Sequence, residues 1–524
     1  MSLQSNQVVL PRPSERPTKR RDVGCSASRD AAPDWLRRIG LLNDYVRIPY
    51  ANGSSFATQF LYREFTKRGH EVTVVGPHDP ASRPEELPDR HVCLPALPLR
   101  NHPGVRLPMP TPDGLARVAA LRLDAVVAQS TSELVDLGVW LRCTQHVPML
   151  SVNTVHFPSA FNVILPDALL NSRLIKGFCY QWVVPWLERH SASVYNQSDG
   201  LIVLSRGLEE YWRERGVTVP IHVIPRSVEP RIFDHASDLD PFPEGATRGH
   251  RLLVVCRHTR EKELSRLLRI FAEQVAPRVP EATLTLVGDG PDHDSFRHEA
   301  EQLGVAHRCF FPGEFPVTEI PTWYRHADLF VYTSLSETYG QVVSEAMWCG
   351  LPVVAFADQM GVSHQMQESR AGIIVEPGPD TARADAAFGV EVVRLLQQPL
   401  LRRALSTIVE RETRERAHPE RCLQRYYQAL EQGRRHCRAT MSERVSRPYA
   451  HLGALVRWTW VQSVAAGLGL IRSPAVVNRH GRKQPGWHEL DARQPGPRFS
   501  ANESGKLPVN LVDHLDPSSA SGAA

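Results

Sequence analysis

SLSETYGQVVSEAMWCGLPVVAF, residues Ser334–Phe356, combines a loop, a short apolar helix and a buried strand. Glu337 stands in the loop, and Glu345 stands eight positions later among the apolar residues of the helix. Gly350 is expected to end this helix as a left-handed cap, and Pro352 prevents its continuation. A carboxylate is costly to bury unless it is paired or hydrogen-bonded. Glu345 therefore either accepts hydrogen bonds from a ligand diol or caps backbone groups of a neighbouring loop.

Short apolar strands that alternate with helical patterns extend outward from this stretch in both directions. A segment rich in Asp, Pro and Gly at residues 234–250 divides them into two series. This rhythm predicts two α/β domains, each a doubly wound parallel sheet, whose ligands bind in the cleft at the carboxyl ends of the strands. The strands are expected in IGLLNDY (39–45), EVTVVGP (71–77), LDAVVAQS (123–130), VPMLSVNTVHF (147–157), DGLIVLS (199–205), IHVIP (221–225), RLLVVCR (251–257), ATLTLVGDG (282–290), RCFFPG (308–313), DLFVYTS (328–334), LPVVAF (351–356) and AGIIVEP (371–377).

Composition excludes several classes of protein. With 42% hydrophobic and 23% charged residues, the 524-residue chain is an ordinary globular protein, and its net charge of +4 does not indicate a nucleic-acid partner. Nine cysteines are scattered singly, without the paired spacing of a metal site. The first residues lack an apolar stretch long enough for a signal peptide. We therefore expect reduced thiols, a cytoplasmic protein, no metal and no cofactor.

Several polar residues follow strands at the expected carboxyl edges. In CRHTREKEL (256–264), Arg257 and Lys262 are either an exposed charged turn or two cations that neutralise a diphosphate. Gly53 lies in the turn after the first strand, where backbone could approach phosphates. His156 ends the expected strand MLSVNTVH (149–156) at the carboxyl edge of the first domain, facing the proposed cleft. It is either structural or catalytic. The DxD-like sequence DGPDHD (289–294) is interpreted as a turn, because no other metal ligands accompany it.

The motifs in their order resemble the retaining nucleotide-sugar glycosyltransferases of family 4, which have the GT-B fold of two Rossmann-like domains facing a cleft. The resemblance covers about residues 39 to 435. The fold alone does not identify the substrate. The matching stretches are ETYGQVVSEAMWCGLPVV (337–354), RHTREK (257–262), LTLVGDGP (284–291), YRHADLFVYTSLSE (324–337), RGHEVTVVGP (68–77) and IPRSVEPRIF (224–233).

This resemblance implies a donor site for a UDP- or GDP-hexose. Glu345 would hold the ribose hydroxyls, and Glu337 would bind hydroxyls of the sugar. Backbone N–H groups of Tyr339, Gly340 and Gln341 would assist at the sugar and phosphate.

The resemblance also implies how the hexosyl group moves. Arg257 and Lys262 would stabilise the diphosphate, Gly53 would let the first domain close over it, and His156 would lie near the sugar and acceptor. The leaving phosphate would take the acceptor proton, with retained anomeric configuration and no metal. The acceptor would be a lipid or a glycan. A sugar-nucleotide epimerase and a non-catalytic GT-B-like scaffold remain as alternatives.

Two departures from the family pattern limit what carries over. Arg226 and Ser227 stand where Asn-Gly is common, which leaves the role of that interdomain loop open. Met360 precedes Gly361 where two glycines are common, so the identity of the sugar does not carry over.

The domains are expected as a disordered basic arm (1–37), an acceptor-side domain (38–233), a nucleotide-sugar domain (234–416), a crossover helix (417–436) and an extension with a disordered tail (437–524).

Two apolar segments raise the question of a membrane. HLGALVRWTWVQSVAAGLGLI (451–471) is barely long enough to span a bilayer and contains Arg457, so it either lies at a membrane interface or packs on the enzyme. LIKGFCYQWVVPWLERH (174–190) is either a second membrane-facing patch or an ordinary buried helix, and the buried helix is favoured. From these two segments the sequence indicates peripheral contact with the inner face of the membrane as one expectation.

Overall fold

The computed structural model describes eight stretches of the 524-residue chain. Most of the arm expected over 1–37 and the tail expected at the end of the extension (437–524) lie outside these stretches. The described residues are 32–44, 53–98, 106–129, 134–153, 173–335, 337–368, 372–441 and 450–471.

The first half of the chain builds a seven-stranded parallel sheet and a small antiparallel hairpin. Numbered along the chain, the strands are β1 (Arg38–Leu42), β2 (Glu71–Pro77), β3 (His91–Leu94), β4 (Ala96–Pro98), β5 (Arg106–Pro108), β6 (Ala125–Ala128), β7 (Met149–Val152), β8 (Gly200–Val203) and β9 (Ile221–Val223). The sheet order is β3-β2-β1-β6-β7-β8-β9, and β4 pairs with β5 alone. The accompanying helices are α1 (Gly53–Lys67), α2 (Pro112–Ala120), α3 (Leu134–Gln145), α4 (Arg173–Phe178), α5 (Val184–Tyr195) and α6 (Arg206–Glu214).

The second half builds a six-stranded parallel sheet in the order β12-β11-β10-β13-β14-β15. Its strands are β10 (Arg251–Val255), β11 (Thr283–Val287), β12 (Cys309–Gly313), β13 (Leu329–Tyr332), β14 (Val353–Phe356) and β15 (Ile373–Val375). Its helices are α7 (Pro230–Phe233), α8 (Leu264–Ile270), α9 (His293–Gln302), α10 (Ile320–His326), α11 (Gln341–Trp348), α12 (Gly361–Glu368), α13 (Thr381–Gln397) and α14 (Pro399–Arg416). The prediction of two doubly wound parallel-sheet domains is confirmed.

The strands of the second sheet have the apolar sequences expected when helices cover both faces of a sheet. Every residue of β10, β13 and β14 is buried, and their sequences RLLVV, LFVY and VVAF are almost wholly apolar. Parallel strands covered by helices on both sides have this continuous apolar character. In each sheet the chain order reverses next to the first strand, between β1 and β6 and between β10 and β13. Ligands of doubly wound sheets bind at the carboxyl ends of strands beside such a reversal.

A long helix near the end of the second half returns to the first sheet. This helix, α15 (Pro419–Ala439), buries Leu423, Tyr426 and Leu430 in the core of the first domain. The Gln129 amide, just after β6, donates to the Tyr426 hydroxyl at 3.0 Å. These contacts tie the end of the second domain to the carboxyl edge of the first sheet.

The last described helix, α16 (Ala450–Ile471), packs against α3. Ala454 and Trp458 are fully buried in the first domain, and the Trp458 indole donates to the Pro108 carbonyl at 2.9 Å. Arg457 pairs with Asp136 of α3. Of the two roles considered for residues 451–471, packing on the enzyme is therefore observed. No helix within the described stretches has both the length and the apolar character needed to cross a membrane.

The segment 174–190 differs from the favoured expectation of a buried helix. It forms α4 and α5, joined by one π-helical turn at Cys179–Val183. Cys179 and Val184 are buried, but the side chains of Phe178 and Trp182 are 60% and 66% exposed. Aromatic residues at helical spacing look alike in sequence whether they face a core or a surface, because only the packed partner distinguishes them.

Candidate functional site

The candidate site lies at the carboxyl edge of the second sheet, where its strand order reverses. Strands β10 and β13 pair there, with Leu252 opposite Leu329. The loops that follow the two strands are therefore neighbours. The Thr333 hydroxyl, just after β13, bonds the carbonyls of Lys262 and Glu263 at 3.2 and 3.1 Å. These hydrogen bonds fix the position of the loop after β10 relative to the loop after β13.

Lys262 and Glu337 meet across these two loops. The Lys262 ammonium lies 2.5 Å from Glu337 Oε1, which also accepts hydrogen bonds from the Tyr332 hydroxyl at 2.7 Å and the Ser334 hydroxyl at 2.8 Å. All three bonds reach the same oxygen, so among the described residues Oε2 is left for an incoming hydroxyl donor. The two predicted site residues are thus brought into direct contact.

The electrostatics keep both groups charged. Burial alone would raise the pKa of Glu337, but the charge and hydrogen bond of Lys262, aided by Tyr332 and Ser334, hold that pKa below its ordinary value. Burial alone would lower the pKa of Lys262, and the Glu337 carboxylate outweighs it and raises that pKa. The site therefore presents a fixed ammonium beside a fixed carboxylate.

Arg257 begins the same loop as Lys262 and is exposed. Within the described stretches its guanidinium makes no ion pair or hydrogen bond. An exposed cation on the loop that carries Lys262 can move toward an anionic ligand at little cost, because no existing contact must break.

Close backbone packing fixes the position of this loop. His258 N–H donates to the Asp289 carbonyl at 2.9 Å, and Arg260 N–H donates to the Asp292 carboxylate at 3.0 Å. A Cβ on Gly288 would lie 1.9 Å from the Cys256 carbonyl oxygen, so only glycine permits this approach. Asp292 thus belongs to the turn that supports the loop, as its interpretation as a turn residue requires. Among the described residues no group of three or more His, Cys, Asp or Glu side chains is arranged to hold a metal.

His258 is fully buried within this loop and pairs with the partly buried His293. The rings of His258 and His293 stack at 4.9 Å, with their Nδ1 atoms 2.9 Å apart. Burial, reinforced by His293 and only partly opposed by Asp289, lowers the pKa of His258 to about 4. His258 is therefore neutral at physiological pH, and the Nδ1–Nδ1 hydrogen bond requires one ring to donate to the other.

The segment before α11 is shaped by two glycines. Gly340 has φ 72°, in the left-handed region, and α11 starts directly after it at Gln341. A Cβ on Gly361 would lie 2.3 Å from the Tyr339 Cα and 2.5 Å from its nitrogen. The Gln365 amide donates to the Gly340 carbonyl at 3.1 Å. Helix α12 therefore supports the loop that precedes the amino end of α11.

Tyr339 and Gln341 also connect this loop to the segment between the two sheets. The buried Tyr339 hydroxyl donates to the Arg226 carbonyl at 3.2 Å and accepts a bond from Arg416 at 2.8 Å. The Gln341 amide donates to the Ser227 carbonyl at 3.2 Å. The prediction concerned only the backbone N–H groups of these residues, so this anchoring role of their side chains is an addition.

Glu345 lies on α11 and is neither fully buried nor fully exposed. The Tyr324 hydroxyl, from α10, donates to Glu345 Oε2 at 3.3 Å. The neighbouring Ala346 and Met347 are buried. The carboxylate therefore stands at the edge of the core and bonds a tyrosine hydroxyl, and a carboxylate in this position can accept hydrogen bonds from a ligand diol.

Two predicted residues belong to the first domain. Gly53 is the first residue of α1, the helix that follows β1 in the chain. The second residue, His156, lies outside the described residues. The structure therefore shows Gly53 at the start of α1 and tests nothing about His156.

Four residues of the site were not singled out from the sequence. Tyr332 and Ser334 flank Thr333 at the end of β13. Their closeness to Glu337 in the sequence is the signal that could have assigned them to the site. Tyr324 and Arg416 are distant in sequence and give no such signal. Arg226 was noted only as a departure, yet its Nε is buried without a hydrogen-bond partner among the described residues, and burial lowers its pKa.

Models of two protein families match the chain. "Glycosyl transferases group 1" matches residues 240–405, and "Glycosyltransferase Family 4" matches residues 51–231. The first includes both loops of the candidate site, and the second covers most of the first sheet. Together they account for the two domains.

Individual relatives and a solved structure are similar over the same region. An alpha-monoglucosyldiacylglycerol synthase of Streptococcus pneumoniae is 24% identical over 358 residues, which are 65% of this chain and 78% of that protein. The sulfoquinovosyl transferase SQD2 of Arabidopsis thaliana is 25% identical over 355 residues, 65% of this chain and 64% of that protein. The structure of Anabaena HepE in complex with UDP and glucose superposes with a TM-score of 0.55 at 16% identity, covering 75% of this chain and 99% of that one.

Proposed function

This chain belongs to the group 1 glycosyltransferases with the GT-B fold, and from that premise we propose that it moves a hexosyl group from a nucleotide diphosphate sugar to a hydroxyl of a lipid or membrane-linked glycan. The reaction retains the anomeric configuration and needs no metal. The observation that carries the proposal is the Lys262–Glu337 contact at the carboxyl edge of the second sheet.

The diphosphate of the donor is assigned to the positive side of this site. Lys262 and the exposed Arg257 supply two cations on one loop, and the amino end of α11 supplies backbone N–H groups and the positive end of a helix dipole. Preorganised charges of this kind stabilise the developing negative charge of a leaving diphosphate. Because these groups already carry positive charge, a divalent cation has no required role.

The two glutamates are assigned to the hydroxyl groups of the donor. Glu337 is held ionised by Lys262, and its Oε2 accepts a sugar hydroxyl. Glu345, steadied by Tyr324, accepts the ribose hydroxyls of the nucleotide. A carboxylate that bonds two hydroxyls fixes orientation as well as affinity.

The chemical step proposed here is the one that the family resemblance implies. The bond between the anomeric carbon and the β-phosphate oxygen breaks, and the acceptor oxygen bonds to the same face of that carbon. The acceptor proton goes to the departing phosphate oxygen, and the nucleoside diphosphate leaves. His156 is assigned a place near the sugar and acceptor. Positioning and charge stabilisation carry such a step, so no covalent enzyme intermediate is invoked.

The acceptor and compartment are inferred from the relatives and the composition. One relative is named for the synthesis of a glucosyl diacylglycerol, which supports a lipid acceptor here. The nine cysteines are scattered singly along the chain, a pattern that suits reduced thiols in a reducing compartment. We place the reaction in the cytoplasm, at the inner face of the membrane.

A transfer panel tests the proposal. The purified chain is incubated in EDTA with each UDP- and GDP-hexose, with diacylglycerol in mixed micelles or with soluble glycans, and the anomeric configuration of the product is read by proton NMR. We expect one donor to be used, with a product of the donor's configuration, and loss of transfer in Glu345→Ala. An inverted product would overturn retention. Epimerised donor without transfer would favour an epimerase, and a requirement for a divalent cation would overturn metal independence.

A further inference from the structure

Two helices from distant parts of the chain expose apolar side chains on the first domain. On α4 and the π turn that follows it, Phe178 and Trp182 are 60% and 66% exposed, and Trp186 of α5 is 45% exposed. These three residues recur at intervals of four, so they form one stripe along the continuous helix. A contiguous exposed stripe of large aromatic residues is unusual on a monomeric protein and marks an interaction site.

Helix α16 carries a matching stripe. Leu452, Val456 and Trp460 recur at the same interval and are 47%, 70% and 48% exposed. The opposite side of the helix holds the fully buried Ala454 and Trp458. Helix α16 is thus apolar on the side that packs on the domain and on the side that faces away from it. A helix that is apolar all round is normally covered on all sides.

The two stripes join into one surface. The rings of Trp186 and Trp460 meet edge to face at 5.9 Å, and Trp186 also stacks on His190 at 5.6 Å. We call this surface the aromatic face, and it consists of Phe178, Trp182, Trp186, Leu452, Val456 and Trp460. Because α16 contributes half of it, the aromatic face exists only when the C-terminal extension is docked on the first domain.

Charged residues near the aromatic face along the chain are mostly basic. Residues 173–187 and 450–471 contain no Asp or Glu, whereas Arg189 is exposed and Arg447 and Arg472 flank α16 in the sequence. The nearest acid of α5, Glu188, is buried and pairs with Arg215. Tryptophans with basic flanks favour the headgroup region of an anionic bilayer.

The aromatic face belongs to the first domain, to which the acceptor is assigned. Helix α5 leads into β8 of the first sheet, and Trp458 of α16 donates to the Pro108 carbonyl of β5. A bilayer bound to this face would therefore lie against the acceptor-side domain.

We propose that the aromatic face is the surface by which this chain docks on an anionic lipid bilayer, with Phe178, Trp182 and Val456 entering the headgroup region. The inference rests on the proposed lipid acceptor and deepens it, because it names the surface that brings the acceptor-side domain to the membrane. The C-terminal extension is thereby given a function, since α16 completes the docking surface.

Vesicle flotation tests the docking surface. The full chain is mixed at low salt with vesicles of 70% phosphatidylcholine and 30% phosphatidylglycerol, or of phosphatidylcholine alone. The test variant is the triple substitution Phe178→Ser, Trp182→Ser and Val456→Ser. Its matched control is Leu239→Ser, which removes an 81% exposed leucine elsewhere on the molecule. Donor hydrolysis in solution, without vesicles, is measured for every protein.

We expect the wild type and the Leu239→Ser variant to float with the anionic vesicles, and the triple variant to bind at least tenfold less while its soluble donor hydrolysis stays unchanged. Equal flotation of wild type and triple variant would overturn the inference. So would a wild type that floats with neither vesicle, or that forms a dimer which only the triple variant disrupts. Absence of donor hydrolysis by the wild type would instead contradict the proposed function. Failure of the docking surface and failure of the proposed function are therefore distinguishable.

Discussion

The Lys262 ammonium lies 2.5 Å from the Glu337 carboxylate, although 75 positions separate the two residues in the chain. Their loops are neighbours because β10 and β13 pair where the strand order of the second sheet reverses. Each residue holds the other in its charged form. In the proposed reaction Lys262 is the cation for the diphosphate, and Glu337 beside it accepts hydrogen bonds from the sugar hydroxyls.

Breaking this pair should separate its structural role from its chemical role. Lys262→Met leaves the largely buried Glu337 without its cation, so we expect the free energy of unfolding to fall by about 1–3 kcal/mol. We also expect kcat/KM to fall by about a hundredfold or more, because a preorganised charge is lost. The double variant Lys262→Met with Glu337→Gln should recover much of the stability but none of the activity. Recovered activity in the double variant would contradict a chemical role for either residue.

Glu345 should control the affinity for the donor. Replacing it by Gln removes a charged acceptor worth about 1.5–3 kcal/mol, which corresponds to roughly ten- to a hundredfold weaker donor binding. Tyr324→Phe removes only the hydroxyl that steadies Glu345, so we expect a smaller loss. Calorimetric titration of both variants with the nucleotide measures these effects. Unchanged affinity in Glu345→Gln would remove Glu345 from the donor site.

Gly361 should be required for the geometry of the donor loop. In Gly361→Ala the new methyl group would stand 2.3 to 2.6 Å from backbone atoms of Tyr339, so the loop before α11 must move. We expect weaker donor binding and a lower melting temperature. The control is Gly453→Ala in α16, where nothing lies within 4 Å of the new Cβ. If both variants bind the donor as the wild type does, the proposed support of this loop by α12 is wrong.

The buried His258, paired with His293, should make stability depend on pH. The folded-state pKa of His258 is about 4, below its ordinary 6.5, so the unfolded chain binds more protons between these values. The stability contributed by neutral His258 is fully present above pH 6.5 and is lost as the pH falls toward 4. Urea unfolding at pH 7.5 and pH 5.0 should show that the wild type loses about 2 kcal/mol more than His258→Phe. Equal losses in the two proteins would contradict a neutral, buried His258.

Two tryptophans on one helix should behave in opposite ways. Trp458 is fully buried and bonds the Pro108 carbonyl, so Trp458→Ala should destabilise the docking of α16 by about 3–5 kcal/mol. Trp460 is 48% exposed, so Trp460→Ala should cost about 1 kcal/mol or less. Limited proteolysis, with loss of the segment after residue 441 detected by mass, compares them. Equal resistance of both variants to cleavage would show that Trp458 does not hold α16 in place.

Much of the fold was predictable because parallel strands carry a distinctive signal. Continuous apolar runs such as RLLVV and VVAF occur where helices cover both faces of a sheet. The short strands β4 and β5 were missed, since three residues that include proline show no periodicity. The exposure of Phe178 and Trp182 was also missed, because spacing at intervals of four describes a stripe without telling what covers it.

The sequence indicated candidate residues for the site but not the contacts between them. Lys262 and Glu337 were both assigned to the donor, yet their contact depends on β10 lying beside β13, which no local pattern reveals. Tyr324 and Arg416 reach the site from other helices for the same reason. Gly361 was noted for its neighbour Met360, whereas its own contact with Tyr339 emerges only from the packed loops.

Binding of the nucleotide tests the central claim most directly. The intact protein is titrated calorimetrically with UDP and with GDP in EDTA, beside Glu345→Ala and Leu239→Ser. We predict that one nucleotide binds the wild type and the Leu239→Ser variant equally well, and that Glu345→Ala binds it at least tenfold more weakly. A folded wild-type protein that binds neither nucleotide, or a Glu345→Ala variant with undiminished affinity, would contradict a donor site built on the loops of Lys262 and Glu337.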